Sequence, residues 1–468
     1  MRAVASVGGA VLVLALAARA RAEDAPAQTD VTASPSPPIA APAPVPTAVE
    51  DPSISLRAEL ARQALQIDQL QAGLEAQRSA PFPVRVGGYV QVDWVVHNQS
   101  SQNEINGSTG QPLNLDRFTL RRGHLRAEAE HGLVSAALEV DANTTNGPQV
   151  RPLAAEVGVR WPSKPDDRLP QLRAIAGLTQ IPFGFEVQEL DNVRPFLERA
   201  TVLGAMFPGA FDLGAKLRAK YRFVDVAVAV MNGNPIGDLV FPDLDPSRTK
   251  DLLGRLGVDF EVVRGVRLVA GASVDTGTGF HAGTPATKYQ LVWQDQNGDG
   301  LVEPNEITVV GGQAATPSQE FHRWAIAGDV RLIVRLPRLG DLSFRAEVVD
   351  GVNLDRALEV ADPIGAGHDL REIGWYVGAT QELTKWGLVG VRYDAYNPNS
   401  DASQQRAIAL VPVNRSYTTL ALMGMIRYAG ARLVVEYDLN TNPLGIGASG
   451  VPTTLADNAL TVRAQVSF

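Results

Sequence analysis

The stretch that most constrains this chain is its last one, Asn458 to Phe468, read Asn-Ala-Leu-Thr-Val-Arg-Ala-Gln-Val-Ser-Phe. As an extended strand it places Leu460, Val462, Ala464, Val466 and Phe468 on one face. Thr461, Arg463, Gln465 and Ser467 fall on the other. Such a strand needs an oily medium on one side and water on the other. The same period of two returns from Val84 onward. There Val84, Val86, Val90, Val92 and Trp94 oppose Arg85, Tyr89, Gln91 and Asp93.

The start of the chain says where that medium is. Residues 1–22 read as a secretory signal: Arg2, an apolar core from Val4 to Ala18, and Ala20-Arg21-Ala22 as a small-x-small cleavage site. After Ala22 no apolar run approaches the roughly 18–20 residues that a spanning helix needs. A secreted chain without such helices enters a bilayer only as a closed barrel, because lipid offers no partner to backbone N–H and C=O groups. Together with the alternation this predicts an all-β, 16-stranded antiparallel transmembrane barrel over residues 84–468, in the bacterial outer membrane. With no cysteine, the chain has no disulfide, thiol catalysis or cysteine metal site. Removing the signal takes three arginines and no acid, moving the net charge from −9 to −12. That balance speaks against nucleic acid as a partner, which wants a basic face.

Between signal and barrel lie two further segments. Residues 23–52 are rich in Pro, Ala, Ser and Thr and read as a semi-extended linker in the periplasm. Residues 53–80 carry Leu56, Leu60, Gln63, Ile67, Leu70 and Leu74 at alternating spacings of 4 and 3. That is a short heptad seam. It predicts a periplasmic coiled-coil helix for self-association as a trimer, or an amphipathic helix against the barrel. From Val84 on, short turns such as His131-Gly132, Arg264-Gly265 and Ala429-Gly430 alternate with long polar loops. The third long loop is expected near 179–211 and the fifth near 276–322. Short turns on one side and long loops on the other, around about sixteen strands, are the outer-membrane pattern. Trp94, Trp324 and Trp375 near the loop ends, and Trp161 and Phe468 near the turn ends, fit interfacial girdles.

Gly87-Gly88-Tyr89, Phe118-Thr-Leu-Arg-Arg-Gly-His-Leu125, Ile181-Pro-Phe-Gly-Phe-Glu186 and Pro195-Phe-Leu-Glu-Arg199 carry a more specific likeness. With these segments the stretch from Val84 to Phe468 resembles the phosphate-selective porin O and P family of outer-membrane channels. The ending on Phe468 is also similar to the closing strand that outer-membrane assembly machinery reads. The resemblance implies a homotrimeric sixteen-stranded porin whose third loop folds inward to narrow the pore. Pro182, Phe183, Gly184, Glu186, Glu189, Asp191, Arg194, Glu198 and Arg199 would then form the constriction.

Period-two alternation also sorts the charges. On the strand read from Asp212 to Arg222, Leu213, Ala215, Leu217, Ala219 and Tyr221 take the lipid side. Lys216, Arg218, Lys220 and Arg222 therefore face the lumen, as do Arg122 and Arg126 with His124 between them. Turned to lipid, each such cation would cost about 2–4 kcal/mol at mid-depth. A basic ladder beside the constriction suits the passage of small anions. The same lumen carries Glu128, Glu130, Glu139, Asp141, Glu156, Asp259, Glu261, Glu347, Glu372 and Glu436. Two readings therefore stay open: an anion-preferring pore, and a weakly selective one with its charges paired or separated across the bore.

One motif lies apart from the pore. Asp295-Gln-Asn297-Gly-Asp299-Gly300-Leu301-Val-Glu303-Pro-Asn-Glu306 matches the twelve-residue calcium loop. Asp295, Asn297 and Asp299 offer side-chain oxygens, Leu301 its carbonyl, and Glu306 both carboxylate oxygens. The flanks read as strands, so the expectation is a structural Ca2+ site on an extracellular hairpin, stiffening the loop or bridging lipopolysaccharide. The alternative is a polar turn without metal. The six histidines show no metal-ligand spacing and no phosphate loop appears, so catalysis is not expected. The functional expectation is an outer-membrane porin passing small hydrophilic solutes, with anion and phosphate transport as its finer form. The rival is a structural barrel, closed by its loops, that links the envelope.

Overall fold

The computed structural model describes residues 84–97, 116–145, 147–162, 168–235, 247–294, 298, 300–406, 409–446, 452–455 and 457–468. The signal, linker and heptad segments lie outside the described residues, as do Asp295, Asn297 and Asp299 of the calcium motif.

Sixteen strands close into one antiparallel barrel, each paired with its neighbours in sequence. They are β1 (Val84–His97), β2 (Asp116–His131), β3 (Val134–Asn143), β4 (Gln149–Trp161), β5 (Gln171–Gln180) and β6 (Phe211–Tyr221). Then come β7 (Val224–Met231), β8 (Asp251–Val263), β9 (Val266–His281), β10 (Gln319–Leu336) and β11 (Gly340–Val352). The last are β12 (Arg371–Glu382), β13 (Gly387–Asn397), β14 (Tyr417–Tyr428), β15 (Ala431–Thr441) and β16 (Ala459–Ser467). Among the described residues no strand of the barrel is left with an open edge, which is what a bilayer demands of strands.

The strand that opened the sequence argument closes the cylinder. β16 pairs with β1, setting Arg463 opposite Asp93 and Val466 opposite Val90. Beyond it, Phe468 and Gly88 exchange both backbone hydrogen bonds at 3.0 Å. Gly88 is required there, because a Cβ would sit 2.2 Å from the carbonyl oxygen of His124. Outside, Trp94 stacks on Phe118 and Trp375 meets Tyr393, with ring centroids 6.3 and 5.6 Å apart.

Three local features depart from a strict reading of the pattern. Arg222 does not extend β6. It lies in the two-residue turn after Tyr221, with φ +51, and its guanidinium rests over the Tyr221 ring. The fifth loop is shorter than expected, because β9 runs on to His281 and β10 begins at Gln319. Gly277 and Gly279 look like loop punctuation but sit in the ladder, where a Cβ would collide with Asp251 or with the Phe321 ring. Finally, β2 bulges opposite Gln91 and Val92. Those two residues face Arg122 and Leu120, so Arg121 is the extra residue.

The inner wall carries charge on all sides, with Asp329, Glu347, Asp394 and Glu436 on β10 to β15 as well as Arg122 and Glu139 on β2 and β3. From β7 onward many inward positions are small or apolar and buried, among them Ala229, Met231, Ala325, Ala327, Val349, Ala421 and Met423. A lumen filled with water would leave these exposed. They are buried because the third loop lies on them.

Candidate pore constriction

The third loop, residues 181–210, is drawn inward by its own apolar residues. Ile181, Phe183, Val187, Val202, Leu203, Met206 and Phe207 join one core with the walls of β7 to β14. Phe196 and Leu197 join a second with Ala421, Met423, Met425 and Val434. Fully burying a side chain of this size contributes roughly 1.5–3 kcal/mol. Phe183 and Phe207 stack at 4.4 Å between centroids. The short helix α1 (Thr201–Met206) lies against the same wall and buries Val202, Leu203, Ala205 and Met206.

Polar anchors then fix the register of the loop. Glu347 on β11 accepts from the backbone N–H groups of Phe185 and Glu186 at 3.1 and 3.2 Å. Ser273 Oγ on β9 accepts from Gly184 N at 3.0 Å. Glu436 on β15 accepts from Leu197 N at 3.0 Å, and Asp394 on β13 from the Thr201 hydroxyl at 2.6 Å. Arginines hold the carbonyls. Arg432 donates to the Asp191 and Arg194 oxygens at 2.9 Å, and Arg392 to the Glu198 oxygen at 2.8 Å.

All nine constriction residues named from the sequence lie on this inward segment. Phe183 is fully buried, and Pro182 beside it is also buried. Gly184 takes φ +59 against Glu347. Glu186 is enclosed and accepts from Ala200 N at 2.8 Å. Glu189 pairs with Arg345 at 3.1 Å. Asp191 lies 2.7 Å from Arg194 and 3.1 Å from Arg122. Arg199 donates to the Phe207 carbonyl at 2.9 Å.

Glu198 has the densest set of partners. Arg121 and Arg122 each grip it with two nitrogens, and Arg463 adds a bond at 2.7 Å. Its side chain is only partly covered, and although desolvation within the bore opposes the charge, these three guanidiniums outweigh it and hold the carboxyl well below the usual range. Asp191 is depressed in the same way, burial being overcome by Arg122, Arg194 and Arg199. Sequence reasoning missed Arg121, which strict alternation turns to lipid and the bulge turns inward. It also missed Arg345, Arg392, Arg432 and Arg463. Each stands at a lumen-facing position, but nothing local to a strand reveals a loop distant in sequence.

The loop leaves a chamber of about 1040 Å³ between itself and the wall of β1 to β6. Its lining includes Glu189, Leu190, Asp191, Asn192 and Arg199 from the loop. The wall contributes Arg126, Glu139, Glu156, Arg173, Lys216, Arg218 and Lys220, among others. Not all of these cations are equivalent. Arg122 is committed to the loop. Arg126 meets Glu128, Glu139 and Glu156 at 2.5, 2.9 and 3.3 Å. Arg218 is forked onto Asp225, with nitrogens at 3.0 and 2.8 Å. Lys216 instead donates to the Gln180 carbonyl at 2.6 Å. Among the described residues neither Lys216 nor Lys220 has an ion pair, and Arg173 comes no nearer than 3.8 Å to Glu156. In register, Arg173 lies opposite Arg218 and Gln171 opposite Lys220. The two lysines thus stand together on β6, one strand from Arg173.

No protein-family model matches the chain, and no curated protein matches it. Solved structures do. The outer membrane channel DcaP of Acinetobacter baumannii aligns over 83% of this chain and 98% of its own, at 13% identity and TM-score 0.50. The trimer form of OmpT, an outer membrane protein of Vibrio cholerae, covers 83% and 99% at 11% identity and TM-score 0.47. The anion-selective porin from Comamonas acidovorans covers 83% and 100% at 9% identity and TM-score 0.48. At the level of the fold, this chain is built as the DcaP outer-membrane channel is.

Proposed function

We propose that this chain is an outer-membrane porin: a passive channel for small hydrophilic solutes, acting as a homotrimer and favouring anions such as phosphate. The supporting observation is the division of the bore. The third loop covers the wall of β7 to β14 and leaves a wet chamber on the other side, where Lys216 and Lys220 stand without an ion pair among the described residues. In a low-dielectric passage a few uncompensated cations bias the ions that pass, without fixing a single solute.

Planar-bilayer recording tests it. A salt gradient of potassium chloride should give a reversal potential on the anion side, and replacing chloride with phosphate should keep a measurable current. A cation-side reversal potential would overturn the preference. Folded barrels without conductance would overturn the channel and favour a closed structural barrel.

The calcium loop belongs to the same reading as a stiffener of the extracellular face, in contact with lipopolysaccharide. Gly298 and Gly300 take φ +75 and +72, the backbone that a tight metal loop requires, and the carboxylate of Glu306 is turned in and buried.

A further inference from the structure

The third loop shares the bore with another. The sixth long loop, residues 353–370 between β11 and β12, buries Leu354 in the same apolar core. Glu372 on β12 draws it in, accepting from Leu354 N and Asp355 N at 2.9 and 3.0 Å. The Asp355 carboxylate then accepts from the backbone of Ala357, Leu358 and Glu359 at 3.0, 2.9 and 3.0 Å, and from the Tyr396 hydroxyl at 2.8 Å. This tight turn presents Arg356 to the end of α1. Arg356 N donates to Ala205 O at 2.9 Å and its Nη1 to Met206 O at 3.1 Å, while the guanidinium rests over the Phe207 ring at 5.6 Å. The last carbonyls of a helix have no donor of their own, and here the sixth loop supplies one.

Past the helix, the same guanidinium meets a group of acids at the loop end of the barrel. Its Nη2 lies 3.5 Å from Asp251 on β8. Asp212 on β6 and Asp275 on β9 face it as well. All three acids are 2% exposed. Arg323 on β10 is the other cation facing them, bonded to Asp251 at 2.9 Å. Asp212 accepts from the backbone of Leu213 and Gly233, both at 2.7 Å. Asp275 Oδ1 has no hydrogen-bond partner among the described residues. With Arg356 in place two guanidiniums answer three carboxylates. Without it one does.

We infer that the sixth loop is a charge-bearing lid at the loop end of the bore and that Arg356 is its selectivity-determining residue, covering and offsetting carboxylates that would otherwise draw cations into the passage. The inference rests on the channel reading above and adds a second place, apart from the third loop, where ion preference is set. The guanidinium keeps its charge at any working pH. Lifting the lid therefore does two things at once: it frees the end of α1, and it opens Asp212, Asp251 and Asp275 to water with one counter-charge fewer.

Reversal potentials in a potassium chloride gradient test this. Arg356→Gln keeps a donor for Met206 O but loses the charge. It should lower the ratio of anion to cation permeability by about twofold or more. Arg356→Lys keeps the charge and should stay near the native ratio. Adding Asp275→Asn to Arg356→Gln removes one negative charge for the positive charge lost, and should return the ratio to the native value. A loop that had merely loosened would gain nothing from that second change. If Arg356→Gln fails to fold, as judged by heat-modifiable mobility, Asp275→Asn alone decides: its ratio should rise toward anions, and an unchanged ratio refutes the lid. Folded Arg356→Gln channels with the native ratio would overturn the inference and leave the channel reading intact. Equal losses in Arg356→Gln and Arg356→Lys would overturn it too, because charge would then not be the cause. Native barrels that conduct nothing would overturn the channel reading, and this inference with it.

Discussion

Arg463 in the last strand and Asp93 in the first face each other across the seam where the barrel closes, joined by two nitrogen–oxygen contacts of 2.7 Å. The same guanidinium reaches inward to Leu197 O and Glu198. Closure of the cylinder and placement of the constriction therefore share one side chain, 99% of which is hidden from water. Removing one partner of a buried, fully bonded pair costs about 3–5 kcal/mol, because the other charge stays buried. Arg463→Ala should lower the midpoint of heat modification and raise single-channel conductance together. Asp93→Asn should lower the midpoint with a smaller change in conductance, since it leaves Arg463 on the loop. Equal conductance effects would show that Arg463 does not position the loop.

Two glycines in the third loop make opposite predictions. Gly184 sits at φ +59, and its absent Cβ would lie 2.2 Å from Glu347 Oε1, the oxygen that receives Phe185 N. Gly184→Ala incurs about 1–2 kcal/mol from the backbone alone and must also push Glu347 off its two amides. Gly204, inside α1, has open space where a Cβ would go. Gly204→Ala should be neutral or stabilise by up to about 1 kcal/mol. Thermal midpoints and conductance histograms of the two variants, recorded side by side, check both signs.

The barrel was legible because its rule is local. Each lipid-facing residue announces itself by parity, as Leu213, Leu217 and Tyr221 do on β6. The inward fold of the third loop came from a family resemblance instead, although a signal was present. Val224–Met231 and Tyr417–Tyr428 carry apolar residues at both parities, for example Ala227 and Ala229, or Ala421, Met423 and Met425. On a strand between lipid and water, that pattern means the water side is covered. Arg121 escaped for a different reason: a single bulged residue reverses parity downstream, and no composition cue marks it. Gly277 and Gly279 stand inside β9, because glycine serves close contacts as well as turns.

Charge in the chamber should follow partnering as well as sign. Asp225 neutralises Arg218 at 2.8 Å, whereas Lys220 has no ion pair among the described residues. Asp225→Asn should therefore shift the reversal potential further toward anions, and Lys220→Gln should shift it back. Both groups face water, so the shifts should be clear near 0.1 M salt, where the screening length is about 10 Å, and small near 1 M, where it is about 3 Å. Shifts of the same sign in the two variants would show that Arg218 and Asp225 do not act as a pair.

Acid provides a separate check on Glu198. Its carboxyl lies below the ordinary range in the folded chain. Its contribution is thus fully present above the unfolded value of about 4.3 and is lost as pH falls through the lower folded value. The groups facing it are Arg121, Arg122 and Arg463, with Asp93, Asp191 and Glu436 close behind them. Comparing native protein with Glu198→Gln cancels the acids common to both. The stability difference should stay constant from pH 7 to about 4.5 and shrink only below that. A difference that fades between pH 7 and 5 would mean that the three arginines do not hold the carboxylate charged.

The proposed calcium loop can be tested through a tryptophan that the sequence did not single out. Trp293 Nε1 donates to Glu306 Oε2 at 3.0 Å, and Glu306 also closes a capping box with Glu303 at the start of the short helical turn Pro304–Glu306. A metal held by Asp295, Asn297, Asp299, Leu301 and Glu306 would draw on that carboxylate and alter the environment of the indole. Calcium should therefore change the fluorescence of the folded barrel with a midpoint on the order of 10⁻⁴–10⁻³ M, the range of extracellular sites. Trp293→Phe should abolish most of the change while calcium still protects the fifth loop from protease. Asp295→Ala with Glu306→Ala should abolish both. Cleavage of the native loop at equal rates in calcium and in chelator would refute the site, and the two left-handed glycines would then belong to a polar turn.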